Sequence, residues 1–364
     1  MMQRRKFLAR AGAAAAVGVM ADSPAVIAQP KVQWRLSTAW PPQLDNLQGS
    51  AQRLGQLVDE MSGGRFRIEV FPGGQIMAPF DCFDATSKGT IEAYMAAASY
   101  WAGNGPREPA TEWFISIPFG MDPQGMAVWC YQGDGLKLWE ETYAPFNVLP
   151  RLGPAFAPQM GGWFRRKIAT TADYKGLKMR IAGLGSRVIA RAGATTVLTP
   201  AAEIYGAFER GVIDACEWVG PHDDLKLGLQ NTARYYYYPG WHEPGTVSEF
   251  GFNRKAYEAL PSDLRRILDL AAAATQIHGL LDFHGKNAVA IERIRTELKG
   301  KVELVQFPAP VLRDLKKLAG GVIREQSEKS PMAKKVHASF TRFQALLGTW
   351  ENVAEGAYHQ LLRA

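Results

Sequence analysis

Cysteine is scarce in this chain: Cys82, Cys130 and Cys216 stand far apart among 364 residues. No CxxC pair occurs, which excludes a thioredoxin-type redox motif and a cysteine zinc knuckle, and the odd count leaves at least one thiol free. The three read as buried small hydrophobes, with a Cys82–Cys130 bridge left open by an oxidising compartment. A GxSxG nucleophile elbow and a Walker loop are also missing. His242-Glu243-Pro244 comes nearest to a zincin motif, but it is not HExxH and Pro244 would break the helix that motif needs. There is no basic stripe with interleaved aromatics, so the net charge of +7 is no nucleic-acid footprint. Beyond the N-terminus no apolar run is long enough to span a bilayer.

What is present begins with an export signal. Arg4-Arg5-Lys6-Phe7-Leu8 resembles a twin-arginine head; an alanine- and glycine-rich apolar stretch follows, and Val26-Ile27-Ala28 supplies a small-residue cleavage site. Cleavage after residue 28 predicts a soluble periplasmic protein with a modest positive excess. Its length favours two lobes over one.

Hydrophobic periodicity then predicts an α/β fold. Val32 to Ala39 and Phe66 to Phe71 alternate as strands around a helix whose apolar residues Leu47, Leu54, Leu57 and Met61 share a face. Ser62-Gly63-Gly64 ends that helix and Pro72-Gly73-Gly74 ends the second strand. A helix through Phe80 to Thr86 and a strand near Ile91 to Ala98 continue a βαβαβ rhythm, which indicates mixed, mainly parallel sheets. Phe156 to Phe164, Leu177 to Ile181, Thr195 to Leu198, Val212 to Trp218, Tyr235 to Tyr238 and Thr246 to Asn253 read as further strands. From Pro261 onward helices take over, with Asp263 to Leu281 and Ile291 to Leu298 as two of them. The predicted organisation is a lobe over 29–153, a second lobe over 154–238, a return to the first over 239–308, and C-terminal helices over 309–364. Hinge strands would cross near 98–101 and 239–247.

Chemistry concentrates in Glu217-Trp218-Val219-Gly220-Pro221-His222-Asp223-Asp224, just after an apolar strand, where an α/β protein places a ligand. Glu217 is either a metal ligand or half of a structural ion pair. Pro221 with Asp223 and Asp224 suits a helix N-terminus. Arg180 ends the strand Leu177-Lys178-Met179-Arg180 and could grip a carboxylate with paired charge-assisted bonds. Gln159, among apolar neighbours, offers oxygen to a cation and N–H to an anion. Tyr100 and Trp101, at a strand end, would either close over a solute or pack between lobes.

Glu217-Trp218-Val219-Gly220-Pro221, together with Gln159 and the Leu177-Lys178-Met179-Arg180 strand, resembles the extracytoplasmic solute receptors of TRAP transporters, in their 2-oxo acid and lactate branch. The resemblance covers essentially the whole chain beyond the signal. It implies the two-lobed periplasmic binding protein fold, with Arg180 holding a solute carboxylate and Gln159 contacting both solute and metal. Glu217 and the Trp218 carbonyl would complete the metal site, with Tyr100, Trp101 and Glu243 facing the same cleft. His222 stands where an aromatic such as tyrosine is expected. The family further implies a TRAP permease as membrane partner and allows a homodimer through the C-terminal helices. It implies sodium for a 2-oxo acid and calcium for lactate; a single carboxylate is thin for tight calcium, which favours sodium. The rival function is a metal-dependent enzyme acting on a small acid through Glu217 and His222.

Overall fold

The computed structural model describes residues 31–101 and 108–363; the expected export signal lies outside them. Among the described residues there are eleven strands. They are β1 (Val32–Thr38), β2 (Phe66–Phe71), β3 (Ala93–Ala96), β4 (Val148–Ala155), β5 (Gly162–Phe164) and β6 (Lys178–Arg180). The remainder are β7 (Thr195–Val197), β8 (Ala215–Cys216), β9 (Tyr235–Tyr238), β10 (Val247–Asn253) and β11 (Glu303–Gln306). One sheet has the order β2-β1-β3-β10-β4, the other β11-β9-β5-β8-β6-β7. Each is the centre of one lobe.

Both sheets are mixed, for a topological reason. β10 runs antiparallel to β3 and β4, and β5 runs antiparallel to β8 and β9. These two strands are the ones the chain enters directly from the other sheet, so each arrives from the opposite end. The other pairings are parallel.

Local sequence explains the elements. In β2, Phe66 and Ile68 turn inward and Arg67 and Glu69 outward. Helix Asp45–Met61 buries Leu47, Ala51, Leu54 and Val58 along one face. It stops where Gly63 and Gly64 take φ of 61° and 79°. The four-tyrosine strand is packed: Tyr236 stacks on Trp163 with ring centroids 4.0 Å apart, while Tyr237 packs on Phe307. All three cysteines are buried and free, so the Cys82–Cys130 bridge does not form.

Several expected boundaries shift. The apolar run 156–164 is not one strand: β4 ends at Ala155, the chain crosses to the second sheet, and β5 starts at Gly162. The crossing expected near 98–101 is absent, because that stretch is a 3-10 turn at Ala98–Tyr100 and the next strand, β4, lies in the same sheet as β3. Nor does 239–308 return wholly to the first lobe, since β11 pairs with β9 of the second. The two helices expected after Pro261 are one, Ser262–Thr296, of 35 residues. It packs against β4 and helix Asp45–Met61 on one side and helix Pro221–Lys226 on the other, and so runs along both lobes. Helix Ala309–Ser327 then packs on Gly183–Arg191 of the second lobe, and Pro331–Glu351 returns to Pro109–Phe114 of the first. Among the described residues no helix is long and apolar enough to cross a membrane.

The two crossing segments lie side by side. Phe156 N donates to Thr246 O at 2.9 Å, Gly240 N to Gln159 O at 2.9 Å, and Gly161 N to Tyr237 O at 2.7 Å. A Cβ on Gly240 would sit 2.2 Å from the Gln159 carbonyl oxygen, so only glycine permits this approach.

Candidate functional site

The strand ends of both lobes converge on one narrow cavity. From the second lobe come Arg180 at the end of β6 and Glu217, Trp218 and Val219 just past β8. The crossing segments contribute Phe156, Gln159, Glu243 and Thr246, and the first lobe adds Trp40, Ala97, Ser99, Tyr100 and Ile115. Ligand sites at the carboxyl ends of strands are the rule for open α/β sheets. A wider surface groove beside helix Ser262–Thr296 has none of these groups and no orphaned polar atoms.

Arg180 is 1% exposed. Its Nη1 donates to Glu217 Oε1 at 2.5 Å and to the Glu217 carbonyl oxygen at 3.0 Å, and its guanidinium lies 4.9 Å from the centroid of the Trp218 indole. Nη2 is buried with no acceptor. Glu217 Oε1 also accepts from Ala182 N at 3.0 Å. Burial opposes ionisation of Glu217, but the Arg180 charge, His242 and the Ala182 N–H outweigh it and hold the carboxyl below its usual range. His242 Nε2 lies 3.6 Å from Glu217 Oε2, an electrostatic contact outside hydrogen-bond range.

Gln159 is oriented by two acceptors: Nε2 donates to Glu243 Oε2 at 2.7 Å and to Thr246 Oγ1 at 3.0 Å. That leaves Oε1 buried without a donor. Burial, reinforced by the Glu217 charge, pushes Glu243 up to about 7, while His242, Thr246 and Arg180 pull the other way. Tyr100 is neutral: burial raises its phenol to about 12, and its oxygen accepts from Trp40 Nε1 at 2.9 Å.

The cavity thus holds one buried cationic donor lacking an acceptor and one buried oxygen lacking a donor. Burying either without a partner costs about 1–3 kcal/mol. The donor set fits an anion beside a cation. Arg180 Nη2 suits a carboxylate, and Gln159 Oε1 with the Glu217 carboxylate suits a hard metal ion.

Of the residues predicted for the site, Gln159, Arg180, Tyr100, Glu217, Trp218 and Glu243 line this cavity. Trp101 does not. Its indole turns into the first lobe, tilted against Phe83 and edge-on to Tyr94, and Nε1 donates to Tyr143 Oη at 3.1 Å. The 3-10 turn that aims Tyr100 at the cavity rotates its neighbour into the core. His222 is also remote, paired with Asp45 at 2.8 Å on the other side of helix Pro221–Lys226. That helix starts at Pro221 as expected, but Asp223 and Asp224 are buried rather than solvated. Sequence reasoning missed Trp40, Phe156, Thr246 and His242. Trp40 carried a signal, since it follows β1 as Tyr100 follows β3; His242 acts from a loop and needs no zincin helix.

The family model described as bacterial extracellular solute-binding protein, family 7, matches residues 36–330. The chain belongs to this family. The monocarboxylate 2-oxoacid-binding periplasmic protein of Nostoc sp. is 36% identical over 329 residues, 90% of this chain and 88% of the relative. A TRAP periplasmic solute binding protein from Pseudoalteromonas atlantica, solved with bound sodium and pyruvate, is 34% identical with a TM-score of 0.87; the match covers 91% of this chain and 99% of that one. Its counterpart from Colwellia psychrerythraea, with bound calcium and pyruvate, is 33% identical over the same shares, also at a TM-score of 0.87. A family 7 solute-binding protein is a transport receptor and not an enzyme, so the metal-dependent enzyme reading falls away. The two-lobed architecture is that of these receptors.

Proposed function

We propose that this receptor captures a small monocarboxylate, a 2-oxo acid such as pyruvate or the related lactate, together with a metal cation in the periplasm. It would then present the closed form to the membrane subunits of a TRAP permease. The observation that carries this reading is the pairing, in one buried cavity, of Arg180 Nη2 without an acceptor and Gln159 Oε1 without a donor. Arg180 would take the solute carboxylate, and Tyr100 and Glu243 would bound the solute. Gln159, Glu217 and the Trp218 carbonyl would hold the cation, whose positive charge helps fix the anion. The relatives solved with pyruvate hold sodium in one case and calcium in the other; sodium is the proposed ion here, because Glu217 is the only carboxylate among these ligands.

Small-residue turns and paired crossing segments support closure of the lobes around this site, through 156–161 and 239–246, as the capture step. A second copy of the chain is the proposed cover for the exposed Leu346, Trp350, Val353, Tyr358 and Leu361 of the last two helices and the turn between them. Light scattering of the purified protein tests that part.

Calorimetry tests the receptor reading. The mature protein is titrated with pyruvate, lactate and longer 2-oxo acids, each in sodium and in calcium. Tight binding of a short monocarboxylate that depends on the cation is expected; if no small carboxylate binds under any ion, the proposal fails.

A further inference from the structure

A second cluster of metal-ligating groups lies outside the solute cavity. Asp45, His222 and Asp223 each bring one ligand atom to a common point, all within 4.8 Å of one another. Asp45 opens helix Asp45–Met61 of the first lobe, whereas His222 and Asp223 belong to helix Pro221–Lys226 of the second. None of the three lines the solute cavity.

Asp223 makes this more than an acidic patch. It is wholly buried, and neither of its carboxylate oxygens has a hydrogen-bond partner. A carboxylate in that position is expensive unless something positive completes it. A bound cation supplies that charge.

The surroundings already orient the other two ligands. Lys286 Nζ holds Asp45 Oδ2 at 3.0 Å and Asp282 Oδ2 at 2.8 Å, which leaves Asp45 Oδ1 turned to the imidazole, 2.8 Å from Nε2. Lys226 Nζ stands off at 3.7 Å from the same oxygen. The backbone N–H of His222 donates to Asn287 Oδ1 at 3.0 Å, fixing the start of its helix on Ser262–Thr296. Such outer partners typically fix first ligands in metal sites.

We propose that Asp45, His222 and Asp223 form a second cation site, for a divalent transition metal of the zinc class, that bridges the two lobes. One imidazole and two carboxylates leave a fourth position for water, the donor set of an open tetrahedral zinc site. The imidazole selects against sodium, magnesium and calcium, which prefer oxygen throughout. Because the ligands come from both lobes, the metal would join them, and by linkage it would stabilise the arrangement in which they meet.

The test is a titration of the untagged, chelator-treated protein with Zn²⁺ alone, followed by calorimetry and thermal unfolding, without any solute. One ion per chain and a raised Tm are expected, with no such response to Mg²⁺. H222Q and D45N, which change partly exposed side chains and leave the solute cavity intact, should each weaken Zn²⁺ binding by roughly a hundredfold. Absence of stoichiometric Zn²⁺ binding overturns the site. Binding that survives D45N overturns the bridge between lobes, and binding that survives H222Q overturns the imidazole ligand that selects zinc. Since no solute is present, these outcomes are independent of which carboxylate the receptor captures.

Discussion

Two buried carboxylate clusters sit within this molecule and do opposite things with their hydrogen bonds. On β10, Glu249 is wholly buried and accepts from Tyr94 Oη at 2.5 Å and from Tyr143 Oη at 3.0 Å. Gly251 beside it has no side chain because a Cβ would fall 2.0 Å from the Tyr94 ring. That cluster is saturated and shaped around itself. In the solute cavity Glu217 and Glu243 are as deeply buried, yet the partners that surround them keep spare capacity on Arg180 Nη2 and Gln159 Oε1. Residue type does not separate a structural polar cluster from a binding one; what separates them is whether the hydrogen-bond inventory closes without a ligand.

The sharpest way to break this contrast is Arg180→Ala. It removes the carboxylate grip and strands Glu217, so pyruvate affinity should fall at least about a hundredfold, and unfolding free energy by ~3–5 kcal/mol. Calorimetry and urea unfolding on the same preparation read both effects. Tyr94→Phe in the saturated cluster should do only half of this. It leaves Glu249 short of a donor and costs about 1–3 kcal/mol of stability, while the dissociation constant for pyruvate stays at its original value. A loss of pyruvate affinity in Tyr94→Phe would erase the distinction between the clusters.

A smaller effect comes from Asp224, a third buried carboxylate, which accepts from Trp163 Nε1 and Tyr236 Oη at 2.8 Å each and from Val219 N at 3.2 Å. Burial pushes its carboxyl up from 3.8 to about 7 although all three donors oppose the shift. The folded state therefore holds this proton more tightly than the unfolded chain. The stabilisation is complete below pH 3.8 and is lost as pH rises through about 7. Glu112 and Glu243, also raised to about 7, act in the same direction. Urea midpoints should decline between pH 4 and pH 7, and Asp224→Asn should make that decline shallower; an unchanged slope would show that Asp224 ionises freely in the folded protein.

Much of the fold was legible because period-2 and period-3.6 patterns survive in β1, β2 and helix Asp45–Met61, where one face meets the core and the other water. The run 156–164 was not, because it is mostly buried and carries no regular alternation, and the break between β4 and β5 is marked only by the exposed Pro158 and the buried Gln159. Arg180, Gln159 and Glu217 were legible for a related reason: each is a polar group in an apolar setting, at or near a strand end or, for Gln159, in the crossing between strands. Trp101 was misplaced because adjacent aromatics look alike in sequence while a 3-10 turn sends them in different directions. Asp223 and Asp224 obeyed the local rule for a helix start, but the long helix Ser262–Thr296 covers that start, and no local rule contains a helix some 40–70 residues downstream.

One residue joins two machines. The carbonyl oxygen of Gln159 is half of the pinch against Gly240, and its side chain faces the cavity. A backbone rotation at that pinch cannot leave the amide where it was. The fulcrum of the molecule is thereby also one of its fingertips: whatever bends the crossing segments is felt at once by the group that touches the cargo. Selection for a looser joint or for a different cargo would have to act on the same peptide, so the ease of closing and the taste of the pocket are inherited together.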